Sequence, residues 1–377
     1  MKDKFLLEFF CLVGKYNYFW LTKLVNQFNI LKMIHNSYSF LFVISLSFVM
    51  ISCGEKTSKT TTETAGHNKS EVAAKKPSDV IPFMDEWKIL LGDGTRSEDL
   101  VGFSKGDFFY VENDGKTDWV VYKTPNSGIT SRTSSNTRTE LGQIEHWIPE
   151  TGGKLTGTLK VQHVSTTGNS DVSSSYSVVI GQIHSDEGHE NEPLKIYYKK
   201  FPDHTKGSVF WNYEINTEGD NSGRWDYSTA VWGYDFSVVG ASPTSYPEEP
   251  EDGIALGEEF SYEVNVYKGI MYLTFKSEGH ETKKFTKNLM KSDFSKKEDI
   301  PQQIIDMYSS RRAVGVEREI AYAGEVNYFK QGAYNQANIK TGSETYDGDI
   351  IKQYANGSFA EVWFREGTLG AGTDPKQ

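Results

Sequence analysis

The chain has 377 residues, is 37% hydrophobic and 14% aromatic, and carries a formal net charge of −11. That excludes a disordered chain, which lacks the apolar mass to fold. It also argues against nonspecific nucleic-acid binding, which needs a basic footprint.

Cys11 and Cys53 are the only cysteines, so from residue 54 onward there is neither a disulfide nor a cysteine metal site. Residues 1–52 hold five lysines against two acids and are therefore net +3, which leaves −14 from Cys53 onward. A polyanionic substrate would then be attracted locally, by a basic groove on an acidic body. Alternatively, the acidity serves solubility alone.

Residues 40–51 are mostly apolar. Twelve residues are too few to span a bilayer, which takes about 20, but they suit the core of a signal peptide. The run ends Ile51-Ser52-Cys53-Gly54, and a small residue before cysteine resembles a bacterial lipobox. The resemblance implies cleavage before Cys53, a lipid on its sulfur and an exported protein anchored to the outer membrane or cell surface. The region before the core is long for a signal peptide. Met33 is an alternative start, although no Lys or Arg would then precede the core. Residues 1–52 are thus read as an upstream extension and signal peptide. Residues 53–80, rich in Thr, Ser, Lys and Glu up to Asp79, form a flexible tether. The folded domain is 81–377.

Alternating runs broken by Gly, Asn, Asp and Ser predict strands over 107–112, 119–123, 154–163, 176–184, 194–200, 208–215, 259–267, 271–276 and 325–334. The pattern indicates an all-β sandwich. The turn-rich stretch 219–253 contains Trp225, Trp232 and Pro247. Its aromatics suggest an ordered loop or inserted hairpin beside a groove. Pro301, with Ile304, Ile305 and Met307 after it, predicts a short helix over 301–308.

Three remote strings share one chemistry: Arg138-Thr139-Glu140-Leu141, Gln182-Ile183-His184, and Tyr328 to Gln336. In each, the key polar members are two or four residues apart, so on a strand they point to one face. The first brings Arg138 and Glu140 and the second Gln182 and His184. The third brings Tyr328, Lys330, Tyr334 and Gln336. Such a set suits a sugar carboxylate. Breaking a uronate polymer by β-elimination removes the C-5 proton beside an already negative group. The site must then supply donors to the carboxylate, a base for that proton and an acid for the departing oxygen. Arg138 offers a charged fork, Gln182 an amide, His184 an imidazole and Tyr334 a transferable proton. Each string alone has a plainer reading: an Arg138–Glu140 surface pair, ordinary strand polars, or an amphipathic edge strand. A histidine base must be neutral, which predicts activity rising above neutral pH.

Taken together, the strings resemble those of the alginate lyases of polysaccharide lyase family seven. That family is marked by Arg-(Ser/Thr)-Glu-(Leu/Val)-Arg, Gln-(Ile/Val)-His and Tyr-Phe-Lys-x-Gly-x-Tyr-x-Gln, in this order. The resemblance runs from about Ile81 to the C-terminus and takes in Glu86-Trp87-Lys88-Ile89-Leu90 and the stretch 128–136. It implies a jelly-roll β-sandwich whose concave sheet forms a glycan groove, and no cofactor. Arg138, Gln182 and His184 would neutralise the carboxylate and Tyr334 would be the acid. The base would be His184 or Tyr334 according to epimer. Glu140, Tyr328, Lys330 and Gln336 would line the sugar site. The isoleucine of Gln182-Ile183-His184 leans toward guluronate-containing blocks. The second arginine of the first motif is Gly142 here, so the groove loses a cation, which Lys195 or Lys199 would make up unless they are simply exposed.

Competing chemistries have weaker support. No strand-like run carries the paired carboxylates of a retaining glycosidase. There is no Gly-x-Ser-x-Gly elbow, and the stretch from His184 to His189 matches no helix-borne zinc spacing, so no catalytic metal is expected; a structural calcium on the acidic loops is left open. Two rivals remain: a non-catalytic glycan-binding lipoprotein on the same fold, and a lyase for another polyuronate.

Overall fold

The computed structural model describes residues 75–376, apart from 131–133, 135, 169–171, 187–190, 218–225, 241–245, 295–298, 300–316 and 338–347. The signal peptide, Cys53, nearly all of the tether and the helix expected over 301–308 lie outside the described residues.

Two antiparallel sheets make a jelly-roll sandwich. The strands are β1 (Trp87–Leu90), β2 (Arg96–Ser97), β3 (Phe109–Asn113), β4 (Asp118–Pro125), β5 (Arg138–Gln143), β6 (Gly153–His163), β7 (Ser177–Ser185) and β8 (Leu194–Lys199). They continue with β9 (Lys206–Glu214), β10 (Asp226–Trp232), β11 (Ile254–Ala255), β12 (Glu259–Tyr267), β13 (Ile270–Ser277), β14 (Lys283–Asn288), β15 (Asn327–Asn335) and β16 (Phe359–Gly370). Short helices occupy Pro77–Val80 (α1), Phe236–Val239 (α2) and Ile350–Ala355 (α3). The first sheet runs β10-β9-β8-β7-β15-β5-β1-β2, with β11 on β9, and the second runs β14-β13-β12-β6-β16-β4-β3.

Period-two alternation decides which side chains fill the space between the sheets. On β15, Phe329 and Ala333 are fully buried in the core, while Tyr328, Lys330 and Tyr334 remain partly exposed on the other face. From the opposite sheet Leu155, Leu159, Phe260, Tyr262, Val264 and Phe364 meet them in one apolar cluster. Each such side chain contributes about 1.5–3 kcal/mol through burial.

Every strand expected from alternation is present within a few residues. The stretch 219–253 resolves into β10, paired with β9 as a hairpin, and α2. Its aromatics behave in two ways. Trp232 turns into the core, edge-on to Phe260 and Phe275. Phe236, Val239 and Tyr246 instead join an outer cluster with Tyr176, Val179, Tyr197, Phe201 and Phe210, on which Tyr334 packs. Order beside Tyr334 thus comes from α2 and Tyr246. Trp225 lies outside the described residues.

Candidate active site

The three motifs sit on β5, β7 and β15, and β15 pairs with both of the others. Remote sequence thereby becomes one surface. Lys330 lies opposite Gly142 on one side and Gln182 on the other; Tyr334 lies between Arg138 and Val179; Tyr328 faces His184. The register with β7 shifts between Gln331 and Tyr334, and Gly332 sits in that shift with φ +145°. A Cβ there would stand 2.6 Å from the Thr139 carbonyl oxygen and 2.9 Å from Glu140 Cα. Only glycine allows β5 to come this close.

Glu140 organises the donors. It is 4% exposed. One carboxylate oxygen accepts from Arg138 Nη1 at 3.0 Å, and the other accepts a short hydrogen bond from Gln182 Nε2. Arg138, itself 8% exposed, also donates through Nη2 to Ser134 Oγ at 3.1 Å. Ser134 Oγ lies 3.0 Å from the Tyr334 hydroxyl, and the Arg138 guanidinium lies 3.7 Å over the Tyr334 ring. An arginine has five N–H donors, and these contacts engage two groups of them. Arg138 Nε and Gln182 Oε1 are buried without a hydrogen-bond partner. The arrangement can present a fixed cation and an amide to an anion, next to a phenol held at one end.

His184 is held neutral. Burial, helped by the Lys330 charge and only partly opposed by Glu192, lowers its pKa to about 3. Nδ1 lies 2.7 Å from the Ser185 carbonyl oxygen, which can only accept, so Nδ1 carries the proton. Nε2 is then the basic nitrogen, 3.6 Å from Glu192. With its proton lost far below neutral pH, His184 gives no reason for activity to rise through that range. The sign is that of a depressed histidine. Between about pH 6.5 and 3 the unfolded chain binds a proton here and the folded chain does not, so acidification in that window weakens folding. The His184 imidazole shifts in an NMR titration should stay flat from pH 8 to pH 5. A midpoint near 6.5 would contradict the packing described.

Tyr328 stacks between two imidazoles, with ring centroids 5.2 Å from His184 and 4.7 Å from His146. Lys330 Nζ is 5.5 Å from the Tyr328 centroid. Gln336 is buried, and its amide donates to the Tyr334 carbonyl at 3.4 Å. Lys195 and Lys199 do not lie beside Gly142, because β15 and β7 separate β8 from β5. Burial alone would lower the Lys195 pKa, but Asp226, Glu192 and Glu214 together raise it well above its ordinary value. Lys199 donates to the Ser173 carbonyl at 2.6 Å, and burial lowers it to about 7. Gly142 is flanked by its pairing partners Lys88 on β1 and Lys330 on β15. Sequence reasoning did not single out Ser134, Glu192, His146 or Lys88 as site residues. The Trp87–Ile89 alternation places Lys88 outward, but nothing local says which strand it faces.

Among the described residues, no group of three or more His, Cys, Asp or Glu is arranged to hold a metal ion. None of the helices there is long and apolar enough to cross a membrane. A depression of about 640 Å³ on the outer face of the second sheet, lined by Thr156, Tyr272, Thr274 and Lys284, holds none of the groups above.

Comparison with known proteins follows the same residues. Residues 81–370 match a family model described as alginate lyase. A Klebsiella pneumoniae protein named alginate lyase is 30% identical over 270 residues, which are 62% of this chain and 73% of that one. The crystal structure of an exolytic alginate lyase of polysaccharide lyase family seven from Zobellia galactanivorans superposes with a TM-score of 0.77 at 74% identity. It covers 80% of this chain and 99% of its own. An alginate lyase structure from Klebsiella pneumoniae, 24% identical with a TM-score of 0.57, covers 80% of this chain and all of its own, and shares the fold.

Proposed function

The chain belongs to the alginate lyase family and is a polysaccharide lyase that cleaves alginate, and from that premise we propose how its own residues do so. Arg138 and Gln182 receive the carboxylate of the uronate being cleaved, and Glu140 orients both instead of touching sugar. As C-5 loses its proton, charge builds on that carboxylate, and a preorganised cation and amide stabilise it more in the transition state than in the ground state. Tyr334 protonates the oxygen leaving C-4. His184, with Nδ1 committed to Ser185, supplies Nε2 as the base. Tyr328 and Lys330 contact neighbouring sugar, and Gln336 steadies Tyr334.

The observation that carries this reading is the unbroken run Tyr334–Ser134–Arg138–Glu140–Gln182 across three strands. It also bears on epimer choice. His184 lies toward one end of β15, facing Tyr328, and Tyr334 lies toward the other. The rows of Glu140 and Gln182 lie between. A base and an acid on opposite sides of one sugar suit anti elimination, in which proton and leaving oxygen depart from opposite faces, as in guluronate. The carboxyl epimer, mannuronate, presents both on one side, where Tyr334 would serve as base and acid.

We further propose exolytic action, supported by the description of the 74% identical relative. Export with a lipid on Cys53 is proposed from the apolar run before it; Cys53→Ser should release the protein from membranes, and unchanged membrane retention would remove the anchor. The central experiment offers block-pure polymers while absorbance of the new C=C bond and viscosity are followed together. Guluronate blocks should turn over faster, and viscosity should fall slowly against absorbance. A faster rate on mannuronate blocks would overturn the anti geometry, and an early collapse in viscosity would overturn exolysis.

A further inference from the structure

One row of the nine-stranded sheet carries charge unevenly from end to end. Starting at Gln182 on β7 and moving toward β1, the paired residues are Lys330, Gly142 and Lys88. Moving the other way, Gln182 pairs with Lys195 and Lys195 with Asn212. On that side Lys195 is surrounded by Glu214 at 3.4 Å, Glu192 at 3.5 Å and Asp226 at 3.8 Å. Among the described residues, one side of Gln182 carries Lys330 and Lys88, and the other holds Lys195 within an acidic cluster.

Lys88 is exposed, and no carboxylate among the described residues pairs with it. It lies where Gly142 leaves room. A Cβ on Gly142 would meet the Lys88 stem at 3.7 and 3.8 Å and Tyr328 at 3.9 Å, which are ordinary contacts. The Lys88 ammonium stands 6.0 Å from the Tyr328 centroid, over the ring that Lys330 also approaches. The stem thus covers the space that a longer side chain at 142 would fill, and the charge lies beyond it.

We propose that Lys88 is the outer uronate-binding cation of this site, taking the place of a cation at position 142, and that the bound chain extends from Gln182 toward β1. Three strand spacings separate Gln182 from Lys88, roughly 14 Å, which is longer than one sugar ring. Lys88 therefore acts on a sugar remote from the bond being cut. A polyanion is drawn along the lysine side. The inference rests on the assignment of this face to alginate.

The test compares a short and a long alginate oligomer, a trisaccharide and a heptasaccharide, on four proteins: unaltered, Lys88→Ala, Lys88→Met, and Lys88→Ala combined with Gly142→Arg. Both single variants should raise KM for the heptasaccharide about three- to tenfold, the span of an exposed to a half-desolvated charge pair. Their kcat should be unchanged, and so should KM for the trisaccharide. The double variant should restore the heptasaccharide KM. Three results would overturn the proposal: Lys88→Met behaving as the unaltered protein, equal losses on both lengths, or no rescue by Gly142→Arg. The unaltered protein's own rates on the two oligomers report separately on the alginate assignment.

Discussion

Tyr334→Phe is expected to lower kcat about 10²–10⁴-fold, the range for loss of a positioned general acid, while oligomer affinity stays within about threefold. The substitution is clean because the ring and the hydroxyl do different jobs. The ring packs on the outer aromatic cluster and lies 3.7 Å under the Arg138 guanidinium, and Phe retains both contacts. The hydroxyl's contact is Ser134 Oγ at 3.0 Å, and Ser134 keeps Arg138 Nη2 and the backbone of Asn136 when the hydroxyl is gone. Thermal stability should therefore barely move. The departing C-4 oxygen would lose its proton source and leave as an alkoxide, which is where the barrier rises. Absorbance of the unsaturated product gives kcat, and calorimetry with an oligomer gives Kd. If more than about a tenth of the turnover survives, Tyr334 is not the acid.

Fold class was legible because inward and outward residues alternate so regularly on the central strands. Where alternation fails, the strands were missed. On β16 the alternation of buried and outward residues slips at Arg365 and Glu366, where the register also shifts. β14, Lys-Lys-Phe-Thr-Lys-Asn, is an edge strand with one large apolar residue. Its charge is how an edge avoids pairing with another chain, and the same charge hides it from a hydrophobic pattern. β10 was obscured by the turn residues around it.

The candidate site was legible where one strand carries it and illegible where two strands make it. Arg138 and Glu140, Gln182 and His184, and Lys330 and Tyr334 announce themselves by spacing within a strand. Their mutual arrangement depends on β15 lying between β5 and β7, a long-range pairing that no single string encodes. For the same reason Lys195 and Lys199 were plausible substitutes for a cation at 142, whereas the pairing of β1 with β5 delivers Lys88. Glu140 looked like a sugar contact until both of its oxygens were found engaged by Arg138 and Gln182. His184 looked like a group that titrates near neutral pH until its burial was known.

Arg138→Ala should reduce kcat/KM by about 10²–10³-fold, the scale of one lost oxyanion donor. It should also destabilise the fold, and the two effects need separating. Arg138 and Glu140 form a buried pair. Removing the cation leaves Glu140 with its hydrogen bond from Gln182, and an unpaired buried charge costs about 3–5 kcal/mol. A drop in Tm alone would therefore say nothing about chemistry. Adding Glu140→Gln to Arg138→Ala removes the stranded charge but does not replace the fork. The double variant should regain much of the lost Tm, read by calorimetry, yet stay as slow as the single one. Recovery of rate along with Tm would mean that Arg138 serves only to hold Glu140. A persistent loss of rate in a restabilised protein would place the guanidinium on the uronate carboxylate. Arg138→Lys sharpens the distinction. Its ammonium keeps the charge beside Glu140 but lacks the planar fork that reaches Glu140 and Ser134 together, so stability should largely return while turnover remains low.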